Sequence, residues 1–297
     1  MALPSAALAL SPAAPPDARL HRWRTGSILE RMTEPTRGGA EASGDCGFAV
    51  ELAFARRLAD VAAELALEYF RRGVSAQRKP DGSQVTEADV AVERQLRQLI
   101  AEERPLDGVL GEELGETGSS ARRWVLDPID GTSHFIAGRP AWGTHVALEL
   151  EGEIVVGVIT RPVLGTSWWA SRGAGAHRSG SGSEPSTRLA VSRVSELRES
   201  RVTLWNHAED PTVQRLKGHC RWIHPELDCL LRVAEGQLDA LVDRSGKPWD
   251  LAPAVVLVEE AGGRFSDRDG GRRLDLGDGR FSNGLIHAQL EQLLATS

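Results

Sequence analysis

The first clear periodicity along the chain is helical. In ELAFARRLADVAAELALEYFRRG the apolar residues Leu58, Val61, Ala62 and Leu65 recur every three to four positions, and Gly73 closes the segment. This spacing predicts a long amphipathic helix with one buried face.

A second helix is predicted a short loop later. Thr86, followed three residues on by Asp89, resembles a capping box. It precedes the apolar series Val92, Leu96 and Ile100, which again has helical spacing. Thr86 and Asp89 therefore either cap this helix only or also serve a site nearby.

Strand and helix patterns alternate over the rest of the chain. Short apolar runs predict strands at DGVLGEE, RRWVLDPIDG, GTHVALELEG, EIVVGVITRP, LDALVD and RFSD, and a further pair around the glycine turns of WWASRGAGAHRSG. Helices are predicted at LDCLLRVAEGQ, DLAPAVVLVEEAGG and LIHAQLEQLLAT. Interleaved elements of both kinds indicate a mixed α/β (α+β) protein built in layers.

The N-terminal stretch has a different composition. Residues 1–45 are rich in Ala, Pro, Ser and Gly, and such a segment buries too little apolar surface to offset the entropy of ordering. We expect a disordered extension over 1–45 and one domain over 46–297. A signal peptide is not expected, since no basic residue precedes the first apolar run; a transit peptide, or a translation start at Met32, is the alternative.

Composition narrows the class of protein. The 297 residues include 35 basic and 42 acidic side chains, and a net charge of -7 opposes binding to the nucleic-acid backbone. No apolar run approaches the ~20 residues that a membrane-spanning helix needs. The chain has 3 cysteines, and they form neither a CxxC pair nor a paired disulfide framework. Such cysteine usage is typical of proteins in a reducing cytoplasm. We expect a cytoplasmic protein that contacts neither membranes nor nucleic acid.

Carboxylates cluster at three points where an apolar run ends or begins: GEE at 111–113, DPIDGT at 127–132 and WDLA at 249–252. One such carboxylate alone is commonly a helix cap or a solvated turn residue. Together, without Cys or His at these points, they form an oxygen ligand set that favours Mg²⁺ over zinc. Because Mg²⁺ usually shares its ligands with substrate phosphate, this set indicates phosphate chemistry.

The same motifs carry a family resemblance. VLGEE, WVLDPIDGT and PWDLAPAVVLVEEAGG, in this order, resemble the signatures of the inositol monophosphatase superfamily of Mg²⁺-dependent phosphomonoesterases. Further segments, among them KPDGSQVTEADVAVE, AGRPAW and VAEGQLDA, are most similar to the bacterial histidinol-phosphatase branch. The resemblance implies a layered αβαβα sandwich and a homodimer. It also implies hydrolysis of L-histidinol phosphate, with inositol 1-phosphate or a related sugar phosphate as the alternative. A partner-binding role in transcription is a different kind of alternative.

The resemblance also implies roles for individual residues. Two Mg²⁺ ions, or three with a looser one near Glu112, are expected on five ligand residues: Glu112, Asp127, the Ile129 carbonyl, Asp130 and Asp250. Glu112, Thr132 and Asp89 are the expected catalytic residues, with the Thr132 hydroxyl orienting the attacking water. The substrate is expected to contact Asp130, Gly131, Thr132, Glu226 and Asp250.

Some positions depart from the motifs of the family, and others allow two interpretations. Glu226 stands where the histidinol-phosphatase branch has an aspartate, so it either meets a cationic group of the substrate or only opens a helix. Arg161 is expected on the surface, with the rim of the pocket as the alternative. Lys79 is expected to be an exposed loop residue, with the metal site as the alternative. His145 is expected in the core or on a sheet face rather than as a ligand.

Overall fold

A computed structural model describes residues 47–80, 82–179, 185–205, 210–226 and 228–295. The extension predicted over 1–45 lies outside the described residues. The seven helices within them are α1 (Ala49–Arg72), α2 (Glu87–Glu103), α3 (Thr132–Ile136), α4 (Pro211–His219), α5 (Cys229–Ala234), α6 (Pro248–Glu260) and α7 (His287–Ala295). None of the helices in this part of the chain is long and apolar enough to span a bilayer.

The described strands form three sheets. Their bounds are β1 (Ala76–Arg78), β2 (Gln84–Thr86), β3 (Gly108–Gly111), β4 (Gly115–Thr117), β5 (Arg122–Asp130), β6 (Gly143–Leu150), β7 (Glu153–Arg161), β8 (Thr166–Ser171), β9 (Gly175–Ser179), β10 (Thr187–Arg188), β11 (Arg201–Trp205), β12 (Arg221–Trp222), β13 (Ala240–Asp243), β14 (Arg264–Ser266) and β15 (Gly279–Ser282). Strands β1 and β2 form a hairpin. Eight strands form a large sheet in the order β10-β9-β8-β7-β6-β5-β3-β4, and five form a small sheet in the order β12-β11-β13-β15-β14.

The sheets and helices stack as five layers. Alternate residues of β5 show how: Trp124 and Leu126 pack in a core with α1 and α2, whereas Val125 packs in a second core with α5 and α6. That second core also reaches the small sheet, whose other face is covered by α4 and α7. The order α, β, α, β, α confirms the predicted fold class.

Helix α6 lies very close to the large sheet. A Cβ atom at Gly157 of β7 would lie 2.6 Å from the Pro253 carbonyl oxygen and 2.7 Å from a Val256 methyl carbon. The absence of a side chain at this position therefore lets α6 approach the sheet. The approach brings the first turn of α6, which carries Asp250, to the same cavity as Asp130 at the end of β5.

Most of the predicted elements are confirmed, including the helices at α1, α2, α6 and α7. Trp168 and Trp169, adjacent on β8, pack in different cores, as the alternation of a strand requires. Of the two glycines of SRGAGA, Gly173 lies in the turn between β8 and β9, and Gly175 is the first residue of β9. They therefore do not open a helix, as a dinucleotide-binding loop would.

Candidate active site

Two carboxylates of β5 meet because the strand is irregular. Asp127 pairs with His145 of β6, Asp130 pairs with Gly143, and the register shifts between the two pairs. Residues three apart point to opposite faces of a regular strand, so the irregularity turns Asp130 towards Asp127. Ligand atoms of Asp127, Asp130 and His145 consequently lie within 4.8 Å of one another.

Asp127 has an unusual environment for a carboxylate. The residue is only 2% exposed, and its Oδ1 has no hydrogen-bond partner among the described residues. Burial, followed by repulsion from Glu112, Asp130 and Asp250, raises the pKa of Asp127 well above its usual range. A buried oxygen without a donor, among other carboxylates, fits a divalent cation.

Asp250 brings a further carboxylate from the first turn of α6. Its Oδ2 accepts a hydrogen bond of 2.8 Å from the Lys247 backbone N–H. Burial raises the pKa of Asp250 to about 8 against this hydrogen bond, and the Asp130 and Glu112 carboxylates raise it further. The hydrogen bond to Asp250 therefore does not balance the effects of burial and of the neighbouring negative charges.

Lys79 supplies one positive charge to the site. Its Nζ lies 2.8 Å from Glu112 Oε1 and 2.8 Å from Glu113 Oε1. The expectation of an exposed Lys79 was wrong, because its side chain is mostly buried against these two glutamates, which follow β3. Burial opposes the charge on Lys79, but the two glutamates raise its pKa above the ordinary value. Burial raises the pKa of Glu113 to about 7.

Thr86 and Asp89 cap α2, and Asp89 also lies close to the DPIDGT segment. Asp89 Oδ2 accepts hydrogen bonds from the Thr86 backbone N–H at 2.8 Å and its hydroxyl at 2.6 Å, which completes a capping box on α2. The other oxygen, Oδ1, lies 3.4 Å from Thr132 Oγ1. That hydroxyl also donates to the Ile129 carbonyl at 3.1 Å. The cap thus fixes Asp89 where it meets the DPIDGT segment.

Gly131 makes the turn that follows these residues. It precedes α3 in a left-handed conformation with φ of 81°, and a Cβ atom there would lie 2.9 Å from the Ala141 carbonyl oxygen. Only glycine satisfies both conditions without strain. The turn places Thr132 directly after the carboxylates of β5.

Arg161 is buried, so its predicted surface position was wrong. It is 2% exposed at the end of β7, and its Nη2 lies 3.0 Å from Asp130 Oδ2 and 2.7 Å from Asp228 Oδ1. Its Nη1 donates to the Thr160 carbonyl at 3.1 Å. A side chain at Gly143 would collide with this guanidinium, since a Cβ there would lie 2.5 Å from Nη1.

The ionisation of Asp130 follows from these neighbours. Burial opposes the charged form, but His145 and Arg161 hold the pKa of Asp130 well below its usual range. Asp130 and Asp127 are therefore adjacent carboxylates whose pKa values move in opposite directions.

A cavity of about 440 Å³ opens beside this cluster. Charged residues of both signs line it: Lys79, Glu112, Asp130, Arg161, Asp228, Asp243, Lys247 and Asp250. Trp205 and Trp249 add aromatic surface. The cavity has the size and mixed lining of a small-molecule site.

Glu226 is not among the residues that line this cavity. Its side chain is 72% exposed and its Oε2 lies 3.0 Å from Arg232 Nη1. Asp228, two residues further on, lines the cavity instead. Contact between Glu226 and the substrate stays a prediction.

The family model of the inositol monophosphatase family matches residues 49–297. The chain belongs to this family. Members are Mg²⁺-dependent phosphatases, and the chain is accordingly a phosphoric monoester hydrolase. The acidic residues around Asp127 in this inositol monophosphatase family enzyme form a cluster that could bind a metal ion.

Several known proteins are similar over most of their length. The histidinol-phosphatase of Mycobacterium tuberculosis is 38% identical over 255 residues, which cover 81% of this chain and 96% of that protein. A Streptomyces griseus protein named glucose-1-phosphate thymidylyltransferase is 44% identical over 231 residues, or 76% of this chain and 88% of that protein. The solved structure of a Thermotoga maritima IMPase is 27% identical with a TM-score of 0.71, and the match covers 82% of this chain and 96% of that one.

Sequence reasoning underrated three residues of this inositol monophosphatase family site: Lys79, His145 and Arg161. Each lies within a segment whose element was predicted correctly, or next to one. Their contacts, however, run between strands or between loops, and periodicity along one segment carries no signal of them.

Proposed function

We propose that this enzyme is a Mg²⁺-dependent phosphatase that hydrolyses L-histidinol phosphate to L-histidinol and phosphate. The observation that carries the proposal is the buried Asp127 carboxylate, raised in pKa among Glu112, Asp130 and Asp250, three residues that line a small-molecule cavity. The similarity to histidinol-phosphatases supports the choice of substrate.

The charge of the cavity also favours an amino alcohol. Besides the metal-site carboxylates, the lining includes Asp228, the N-cap residue of α5, and Asp243 at the end of β13. L-Histidinol carries an ammonium group, which carboxylates stabilise in a partly desolvated cavity. Inositol 1-phosphate lacks this group and is the second candidate, supported by relatives named inositol-1-monophosphatase.

The proposed metal ligands are Glu112, Asp127, the Ile129 carbonyl, Asp130 and Asp250. All of these are hard oxygen donors, and the orphaned Asp127 Oδ1 fits Mg²⁺. Bound Mg²⁺ would lower the pKa of the attacking water and stabilise the charge on the leaving oxygen.

The chain's own residues would position the attack on phosphorus. We assign Thr132 and Asp89 to the attacking water, because the Thr132 hydroxyl lies 3.4 Å from Asp89 Oδ1 and Asp89 is fixed by the cap of α2. Glu112 is assigned as the neighbouring catalytic carboxylate. Gly131 and Thr132, together with Asp130, Asp250 and Glu226, complete the proposed substrate contacts.

Phosphate release from L-histidinol phosphate and from inositol 1-phosphate tests the proposal. Each substrate is assayed with Mg²⁺ and with a chelator. A Mg²⁺-dependent preference for L-histidinol phosphate is expected. A preference for inositol 1-phosphate would retain the metal chemistry and overturn the substrate, and activity undiminished by the chelator would overturn the metal assignment.

The name of the Streptomyces griseus relative denotes transfer of a nucleotide. We do not extend that activity to this chain, because its glycine-rich SRGAGA segment forms a strand-to-strand turn rather than a phosphate-binding loop at a helix. A homodimer, a cytoplasmic location and a partner-binding role in transcription stay predictions.

A further inference from the structure

His145 faces the proposed metal ligands from the neighbouring strand. It pairs with Asp127 across β5 and β6, so the two side chains project from the same face of the sheet. On its other side His145 pairs with Ile159 of β7, whose apolar side chain offers no hydrogen bond. The imidazole is directed to the carboxylates of β5.

The ring is buried without a hydrogen-bond partner. His145 is 3% exposed, and neither Nδ1 nor Nε2 has a hydrogen-bond partner among the described residues. Leaving a polar atom of this kind unsatisfied in the interior of a protein is costly in free energy. Such a cost indicates a ligand that the nitrogen binds.

The spacing of the atoms suits a shared cation. His145 Nε2 lies 3.3 Å from Asp130 Oδ2, and both belong with Asp127 to the group of ligand atoms within 4.8 Å. Adjacent ligands of an octahedral ion with bonds of roughly 2.1 Å are about 3 Å apart. A charge pair of a protonated His145 with Asp130, beside the Arg161 hydrogen bond of 3.0 Å to the same oxygen, is the rival interpretation, and it predicts no coupling between a bound metal ion and the imidazole nitrogen.

We propose that His145 is a nitrogen ligand of the cation held by Asp127 and Asp130, and that it shifts the preference of this position from Mg²⁺ towards Mn²⁺. The inference rests on the proposed function in taking these two aspartates as metal ligands. Imidazole nitrogen binds first-row transition ions well, whereas Mg²⁺ prefers oxygen. An inositol monophosphatase family site with this histidine is therefore expected to bind Mn²⁺ more tightly than carboxylates alone would.

Pulsed electron paramagnetic resonance of the Mn²⁺-loaded full chain tests this directly. A ¹⁴N coupling typical of a bound imidazole is expected in the wild type, and labelling histidine alone with ¹⁵N should change it, which separates His145 from the nearby Arg161 nitrogens. The coupling should disappear in His145→Leu and persist in His134→Leu, which removes another histidine with a buried Nδ1. His145→Gln replaces the leucine variant if that protein does not fold.

Metal titrations without substrate provide the second readout. Loss of His145 should weaken Mn²⁺ binding by at least about tenfold, since even outer-shell changes at metal sites reach that size. Mg²⁺ binding should change much less. The dissociation constant for Mg²⁺ divided by that for Mn²⁺ should therefore fall when His145 is replaced. An unchanged ratio, no nitrogen coupling in the wild type, or no Mn²⁺ binding would each overturn the inference. Phosphate release is measured separately, so Mn²⁺ bound through nitrogen in a protein without phosphatase activity would overturn only the proposed function.

Discussion

Arg161 Nη2 lies 3.0 Å from Asp130 Oδ2, and the same guanidinium donates to Asp228 Oδ1 from Nε at 2.9 Å and from Nη2 at 2.7 Å. One buried side chain thus joins a proposed metal ligand to a wall of the substrate cavity. The planar fork of arginine can hold two carboxylates at fixed angles, whereas a lysine ammonium cannot. Arg161 is accordingly expected to set the orientation of Asp130.

Replacing Arg161 by alanine should lower kcat/KM by about 10–100-fold, the usual effect of removing a residue that orients a metal ligand. A loss is expected with inositol 1-phosphate as well as with L-histidinol phosphate, because Asp130 would be misplaced for both substrates. Arg161→Lys should recover little of it. Millimolar guanidinium should restore part of the activity of Arg161→Ala, measured as phosphate release at constant ionic strength.

Arg273→Ala is the matched control for that experiment. Arg273 also forms a two-point pair with a carboxylate, that of Asp275, but both side chains are exposed. Its activity and its response to guanidinium should equal those of the wild type. Activity of Arg161→Ala within about threefold of the wild type would contradict the positioning role, given the size of effect expected.

Glu93 of α2 fixes the loop that carries Glu112. Fully buried, it accepts hydrogen bonds from the backbone N–H groups of Glu113 at 2.7 Å and Leu114 at 3.2 Å, and from Arg97 Nε at 2.7 Å. Glu93→Gln replaces one of the two accepting carboxylate oxygens with an NH₂ group, which cannot accept a hydrogen bond from these N–H donors. We expect the free energy of unfolding to fall by about 1–3 kcal/mol.

Thermal or denaturant unfolding of Glu93→Gln measures this loss. Phosphate release should fall as well, because Glu112 would move with the loop. Glu102→Gln is the control on the same helix, since Glu102 is exposed and accepts a hydrogen bond of 2.9 Å from Gln98 Nε2. Equal stability of the two variants would show that the buried hydrogen bonds do not hold the loop.

Asp239 offers a prediction on pH and stability away from the metal site. Burial opposes its charge, but hydrogen bonds from the Arg201 side chain and backbone N–H hold the pKa of Asp239 below its usual range. A lowered pKa in the folded state adds stability above the unfolded value of about 3.9, and this stability is lost as pH falls through the folded pKa. Asp239→Asn should therefore be less stable than the wild type at pH 7.

Unfolding by denaturant at several pH values measures that difference. It should begin to narrow below about pH 4, where Asp239 becomes protonated in the unfolded wild type, and narrow further as pH falls through the lower pKa of the folded state. Asp275→Asn, which alters an exposed arginine pair, should follow the wild type throughout. A constant difference between Asp239→Asn and the wild type from pH 7 to pH 3 would contradict the assignment.

Local patterns predicted most of the fold. The helix of Leu58 and Val61, the capping box of Thr86 and the strand ending at Asp130 all follow from spacings within one segment. The stretch between Arg201 and His219, which forms β11 and α4, was not assigned. Its short apolar run and its helix of nine residues give weak periodicity.

Contacts between segments were harder to predict. Arg161 follows the apolar run EIVVGVIT. Its burial depends on Gly143 of the neighbouring strand β6 and on Asp228, which is distant in sequence. His145 meets Asp127 only through the register of β5 and β6. Register and close approach are set by tertiary packing, which one sequence does not display.

The rate of phosphate release by the wild type and by Asp127→Asn, measured against Mg²⁺ concentration, tests the central claim most directly. The variant should fold with a melting temperature at least equal to that of the metal-free wild type, because the neutral amide removes repulsion from the neighbouring carboxylates. We expect Mg²⁺-dependent release from the wild type and none from the variant at any Mg²⁺ concentration. Near-full activity of a folded Asp127→Asn protein would contradict the claim that this acidic cluster holds the metal that hydrolysis requires.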